Sequence, residues 1–228
     1  MSNSDATNEM SSSGDLELLD DKRATPRTFE TVINLLPEFA TAAKELARQA
    51  GLFVVVSGSQ GAFHWPSFKM AVNKHAGGSL TFVNHTSLSV PKEQSSVSSV
   101  AQKIADIISN DHKPAVDPAA VRTMLEATFT NLRTAKGWLD FNPGLGPGRT
   151  SWEYRLLFAV PLPVNVPADP KRFRAIITTT TLEASIDTKE KWWDLLSSSE
   201  EDFSATVDVM ELLVSKDFSP ETPLKPTA

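Results

Sequence analysis

From Leu156 to Ala168 no side chain carries a charge, and at the start of this run both parities are apolar: Leu156, Phe158 and Val160 on one, Leu157 and Ala159 on the other. Successive side chains of a strand point to opposite faces, so a strand of this composition needs cover on both. Antiparallel sheets commonly leave one face in water. The expectation is therefore a sheet with helices packed above and below its centre. A chain of 228 residues can build such a core, because a domain of this size buries roughly 70% of its unfolded surface. The chain has no cysteine, which excludes a disulfide framework, a thiol nucleophile and any cysteine-ligated metal centre.

Around this run the hydrophobic period changes. Phe29, Val32, Ile33, Leu36, Ala40, Ala43, Leu46 and Ala50 recur at steps of three and four, predicting a helix with a kink at Pro37 and a stop at Gly51. A short buried strand is expected over Leu52 to Val56, a helix over Phe68 to His75 and a strand over Leu80 to Val83. Val97, Val100, Ala101, Ile104, Ile107 and Ile108 mark a third helix opened by Pro91, and Asp117-Pro118 caps a fourth. Beyond residue 134 the period is two. Gly137 to Phe141, Thr150 to Leu162, Arg172 to Ile186 and Phe203 to Val214 read as strands, with one short helix over Lys189 to Leu196. Helices first and strands later favour an α+β domain over alternating βαβ units.

The net charge of −6 is concentrated at the start, where residues 1 to 30 carry −4. A near-neutral remainder has no field suited to a polyphosphate, which argues against nucleic acid as a partner. The first thirty residues lack the basic start and apolar run of a signal peptide. Residues 1–27 read as an acidic arm, 28–216 as the folded domain and 217–228 as a loose tail holding Pro220, Pro223 and Pro226.

The later strands look amphipathic. Phe173, Ala175 and Ile177 oppose Arg172, Arg174 and Thr178, while Phe203, Ala205, Val207 and Val209 oppose Ser204, Thr206 and Asp208. A transmembrane barrel strand needs this polarity over about 9 to 11 residues. A half-buried strand of a soluble sheet shows the same alternation, so the pattern alone leaves both readings open. Trp138, Trp152, Tyr154, Trp192 and Trp193 suit a membrane interface, and equally a core or a surface.

Phe129-Thr130-Asn131-Leu132 ending a helix, Trp138 on a short strand, a loop, and then Trp152-Glu153-Tyr154-Arg155-Leu156-Leu157-Phe158-Ala159-Val160 on a long strand resemble the Cyt (cytolytic delta-endotoxin) family. That family includes bacterial crystal proteins and fungal volvatoxin-like cytolysins. The resemblance is best over residues 117 to 161 and follows the element order from 29 to 214. It implies a single-domain α-β-α sandwich, a largely antiparallel sheet wrapped by two helix layers. It also implies a non-catalytic, cofactor-free toxin, a soluble monomer or dimer that binds target membranes, oligomerises there and permeabilises them; the missing signal peptide fits storage in the producing cell or release outside it.

Carried over to this chain, the membrane-inserting residues are Tyr154, Leu156, Phe158 and Val160, then Phe173, Ala175 and Ile177, then Phe203, Ala205, Val207 and Val209. Helices 29–50 and 91–109 are the cover that moves away. Trp138, Trp152, Trp192 and Trp193 are interfacial aromatics, and Lys171, Arg172 and Arg174 meet lipid headgroups. Lys22, Arg23 and Arg27 are sites of activating proteolysis. Two features depart from the family: Pro161-Leu162-Pro163 makes any inserted strand end near Val160 or bulge there, and Asp208 is tolerable only on a water-facing lumen side.

Other chemistry is less well supported. Ser57-Gly58-Ser59-Gln60-Gly61 after an apolar strand lacks the first glycine of a nucleophile elbow, and Pro66 interrupts the helix expected behind it. His64, His75, His85 and His112 show no paired metal-binding spacing. The loop from Pro143 to Arg149 precedes a strand rather than a helix and has no phosphate-loop lysine. The remaining alternative is a non-lytic lipid- or glycan-binding module on the same fold.

Overall fold

The computed structural model of the chain describes residues 29–57, 60–75, 78–110, 116–134, 150–162, 171–184, 201–219 and Leu224. Within them the chain runs β1 (Glu30–Ile33), α1 (Pro37–Gly51), β2 (Val54–Ser57), β3 (Gln60–Phe63), α2 (Trp65–Lys74), β4 (Leu80–Ser95), α3 (Val97–Ser109), α4 (Pro118–Thr134), β5 (Thr150–Val160), β6 (Arg172–Ala184) and β7 (Glu201–Ser215). Five strands form one sheet in the order β1-β5-β6-β7-β4, and β2 pairs separately with β3. β1 runs parallel to β5, and every other neighbouring pair in the large sheet is antiparallel.

Two cores flank this sheet. The first joins Phe39, Ala43 and Leu46 of α1 and Phe68 of α2 to Leu157, Ala159, Phe173, Ile177 and Leu212. The second joins Val100, Ile104 and Ile108 of α3 and Val121 and Leu125 of α4 to Leu156, Phe158, Val160, Ile176, Phe203 and Val207. β5 is thus buried on both faces over Leu156 to Val160, as its uncharged run requires, and the architecture is an α-β-α sandwich.

Local chemistry sets the helix starts. Pro37 stands in the first turn of α1, where its missing N–H would have had no intrahelical partner. It therefore opens the helix instead of kinking it, and Glu30 to Ile33 form a strand. Thr31, Val32 and Ile33 are β-branched and fit a pleated surface better than a helical one. Pro66 likewise lies in the first turn of α2, whose start is capped by His64 accepting the Ser67 N–H. Ser96 caps α3 by accepting the Ser99 N–H at 3.2 Å, and Asp117 accepts the Ala119 N–H at the start of α4.

Three further expectations are corrected. Pro91 does not open α3: it lies within β4, which runs from Leu80 to Ser95. β4 is an edge strand and its pairing with β7 slips between Val90 and Glu93, which is where a residue without a ladder donor is tolerated. β6 and β7 are not one-faced. Arg174, Ile176, Thr178 and Thr180 are buried opposite Phe173, Ala175 and Ile177, and Met210, Leu212 and Val214 are buried on the face opposite Val207 and Val209. Threonine hides this in an alternation reading, since its methyl-bearing, β-branched side chain packs like valine while counting as polar. The C-terminal segment is not loose throughout. Phe218 and Leu224 are buried in the first core, and the Leu224 N–H donates to Gln49 Oε1 at 2.7 Å. The expected arm, the strand over 137–141 and the helix over 189–196 lie outside the described residues.

Candidate functional site

The strand register places β5, β6 and β7 in rows. Leu156 pairs with Thr178 and Thr178 with Val209; Tyr154 pairs with Thr180 and Thr180 with Val207; Trp152 pairs with Leu182 and Leu182 with Ala205. Leu156, Phe158, Val160, Ile176, Leu182, Phe203, Ala205, Val207 and Val209 all belong to the core under α3 and α4, with Tyr154 packed against it. The Tyr154 hydroxyl donates to the Glu30 carboxylate of β1. The Thr178 and Thr180 hydroxyls are buried on this face with no hydrogen-bond partner among the described residues.

The opposite face of the same rows is polar. Glu153 accepts the Phe63 N–H on both carboxylate oxygens, at 3.0 and 3.2 Å, and lies 2.8 Å from the Arg155 guanidinium. Arg155 also donates to the Gly61 carbonyl at 2.9 Å. The Trp65 indole N–H donates to Thr179 Oγ1 at 3.0 Å, and its ring stacks on His85 with centroids 4.7 Å apart. His85 Nε2 lies 3.5 Å from Asp208 Oδ1. Burial holds the His85 imidazole below its ordinary pKa, with Lys69 acting in the same direction and Asp208 against both. The backbone of β3 and the Trp65 side chain of α2 thus latch onto the polar half of the sheet by hydrogen bonds, beside the apolar core of α1 and α2, whereas α3 and α4 hold the other face by apolar contact.

α3 and α4 are tied to each other. Ser98 Oγ donates to Glu126 at 2.7 Å and Arg122 Nε donates to the same oxygen at 2.9 Å, which together hold the Glu126 carboxyl below the usual range. Among the described residues no helix is long and apolar enough to cross a membrane.

The expected membrane-facing residues divide between the two faces. Tyr154, Leu156, Phe158 and Val160 share one face with Phe203, Ala205, Val207 and Val209, but Phe173, Ala175 and Ile177 lie on the other, beneath α1 and α2. The β6 residues that complete the first face are Ile176, Thr178, Thr180 and Leu182. Sequence reasoning passed over them because it chose the more apolar parity of β6; only the pairing register with β5 fixes the choice.

Of the basic residues, Lys171 is exposed, and Arg172 donates to Gly78 O at 2.9 Å and Thr81 Oγ1 at 3.4 Å. Arg174 is buried, 3.6 Å from Glu211. The Trp152 backbone lies in β5; Trp138, Trp192, Trp193, Lys22, Arg23, Arg27 and Ser59 lie outside the described residues.

No family model matches the chain, and no curated protein matches it in sequence. Solved structures do. A delta-endotoxin superposes with a TM-score of 0.62 at 16% identity, over 82% of this chain and 81% of its own. The activated Cyt2Ba monomer from Bacillus thuringiensis subsp. israelensis superposes with a TM-score of 0.62 at 14% identity, over 82% of this chain and 98% of its own. The fold is that of the Cyt delta-endotoxins.

Proposed function

We propose that this chain, with the fold of the Cyt delta-endotoxins, is a membrane-permeabilising toxin whose strands β5, β6 and β7 exchange helical cover for lipid. The observation that carries the reading is the opposed polarity of one register-locked stretch. Leu156, Thr178 and Val209 lie on one face and Arg155, Thr179 and Asp208 on the other, in adjacent positions of the same strands. A strand set between lipid and a watery lumen requires that division. Asp208 falls on the polar side.

The energetics define the sequence of events. Each large apolar side chain is worth about 1.5 to 3 kcal/mol when taken out of water, but those under α3 and α4 are already dry. Moving them into lipid gains little, so release of the helices controls the process. A lone sheet in lipid leaves its edge donors unpaired. Copies of the chain therefore join edge to edge and close a barrel.

Dye release from phosphatidylcholine vesicles tests this reading. Two cysteines placed on α3 and β7 at positions with Cα atoms within about 6 Å form a disulfide in a chain that has no cysteine of its own. The oxidised protein is expected to leave vesicles intact and the reduced protein to empty them. Undiminished release by the oxidised protein refutes the mechanism, and vesicle binding without release by the unmodified chain identifies a non-lytic lipid-binding module instead.

A further inference from the structure

Where β6 and β7 run under α3 and α4, the Arg174–Glu211 pair stands among apolar and threonine rows, and its position is informative. Arg174 pairs in register with Val160 and Leu213, and Glu211 with Ile176, so both stand at one end of the face. From Arg174 the face continues through Ile176, Thr178, Thr180 and Leu182 to Ala184. That distance is ten residues, or about 34 Å along a strand. With the tilt of a barrel strand it matches the apolar band that outer-membrane-type barrels present to lipid.

A guanidinium on the lipid side of a barrel is most unfavourable at mid-bilayer and nearly neutral at the interface. Arg174 therefore fixes which level of the strands sits at the headgroups. The chain supplies more positive charge at the same end: Lys171 precedes the strand and Arg172 opens it, and the Lys216 N–H donates to the Lys171 carbonyl at 2.8 Å, bringing the end of β7 alongside.

We propose that Arg174, released from under the α3–α4 layer, binds a phospholipid phosphate and sets the insertion depth of β5–β7. This rests on the permeabilising function proposed above. In the covered form Glu211 holds the guanidinium at 3.6 Å. In lipid the planar fork takes two phosphate oxygens, the geometry arginine matches best, while Glu211 stays beside it at the interface.

The test uses the full chain and the double variant Arg174→Met/Glu211→Gln, since replacing both members of a buried pair avoids stranding one charge and commonly preserves folding. Thermal unfolding verifies the fold, and Arg174→Lys, which keeps the charge but not the fork, is a second variant. Dye release is measured on phosphatidylcholine vesicles and on phosphate-free digalactosyldiacylglycerol vesicles.

In phosphatidylcholine the double variant is expected to need about tenfold more protein for half-release, on the scale of one lost charge-assisted contact, with Arg174→Lys intermediate. On the galactolipid all three proteins should match. Equal potency in phosphatidylcholine, or an equal loss on both lipids, overturns the phosphate contact and leaves the permeabilising function standing. If the unmodified chain empties neither kind of vesicle, both fall together.

Discussion

Ile104→Ala isolates the α3–α4 layer. Ile104 is fully buried in the core between α3 and the sheet, and it belongs to the cover, not to the strands proposed to enter lipid. Truncating a buried isoleucine to alanine costs about 2 to 5 kcal/mol, depending on how far the cavity collapses. Taking about 2 kcal/mol as the part felt when α3 lifts, the population of the uncovered form rises about 30-fold, since about 1.4 kcal/mol is a factor of ten. If uncovering limits the rate, dye release at fixed protein and lipid should quicken by a similar factor.

Leu46→Ala is the matched control. Leu46 is equally buried, but in the α1 core on the other face, and its truncation should lower the melting temperature comparably with a much smaller effect on release. The assay is the initial rate of fluorophore dequenching, with melting temperatures measured in parallel. Equal acceleration by both substitutions would mean that general loosening, not detachment of α3–α4, governs release. No acceleration by Ile104→Ala, with its melting temperature lowered, would refute uncovering as the slow step.

Other expectations concern the covered form. Thr178→Val replaces a buried hydroxyl lacking a partner among the described residues with a group of the same shape. It should add about 1 kcal/mol and raise the melting temperature by about 2 to 4 °C; a fall would show that the hydroxyl is satisfied. His85 titrates below its unfolded value because it is buried. Its contribution to stability is full above the unfolded pKa of about 6.5 and is lost as pH falls through the folded value. His85→Gln should therefore flatten the decline in melting temperature on acidification below pH 6.5, and an unchanged slope would count against it. Leu224→Ala should destabilise by about 2 kcal/mol or more in denaturant unfolding, whereas a loose tail would give no change.

Much of the sandwich was legible because one strand is too apolar to have a wet side. Leu156 to Val160 demanded two layers of cover, and the three- and four-residue steps of Val97 to Ile108 and the Asp117-Pro118 start supplied one of them. What sequence reading missed has a common cause in pairing. Phe29 to Ile33 continue the helical spacing of α1 by coincidence, and their parallel pairing with Leu156 to Ala159 is a contact 126 residues away in the chain. Asn84 to Ser95 contain too many polar residues to resemble a strand, yet they hydrogen-bond along β7 as a sheet edge. The residues that share a face were half legible: β5 and β7 gave one common face, and the β6 parity chosen with them lies on the other, because the buried threonines of β6 count as polar.

Each side of the sheet rests on an apolar core, and only the α1–α2 side is also latched by the polar contacts described above, so solution conditions act on the two unequally. Apolar attachment weakens on cooling and strengthens in sulfate, so the α3–α4 side should loosen in the cold and tighten in that salt. The α1–α2 side shares that response through Phe39, Leu46 and Phe68, but the contacts of Glu153, Arg155 and Trp65 add a directional polar attachment that does not follow it. If the α3–α4 layer, held to the sheet by apolar contact, is the cover that lifts, warmth and a kosmotropic medium would hold it shut, and cold, dilute buffer would ease it open.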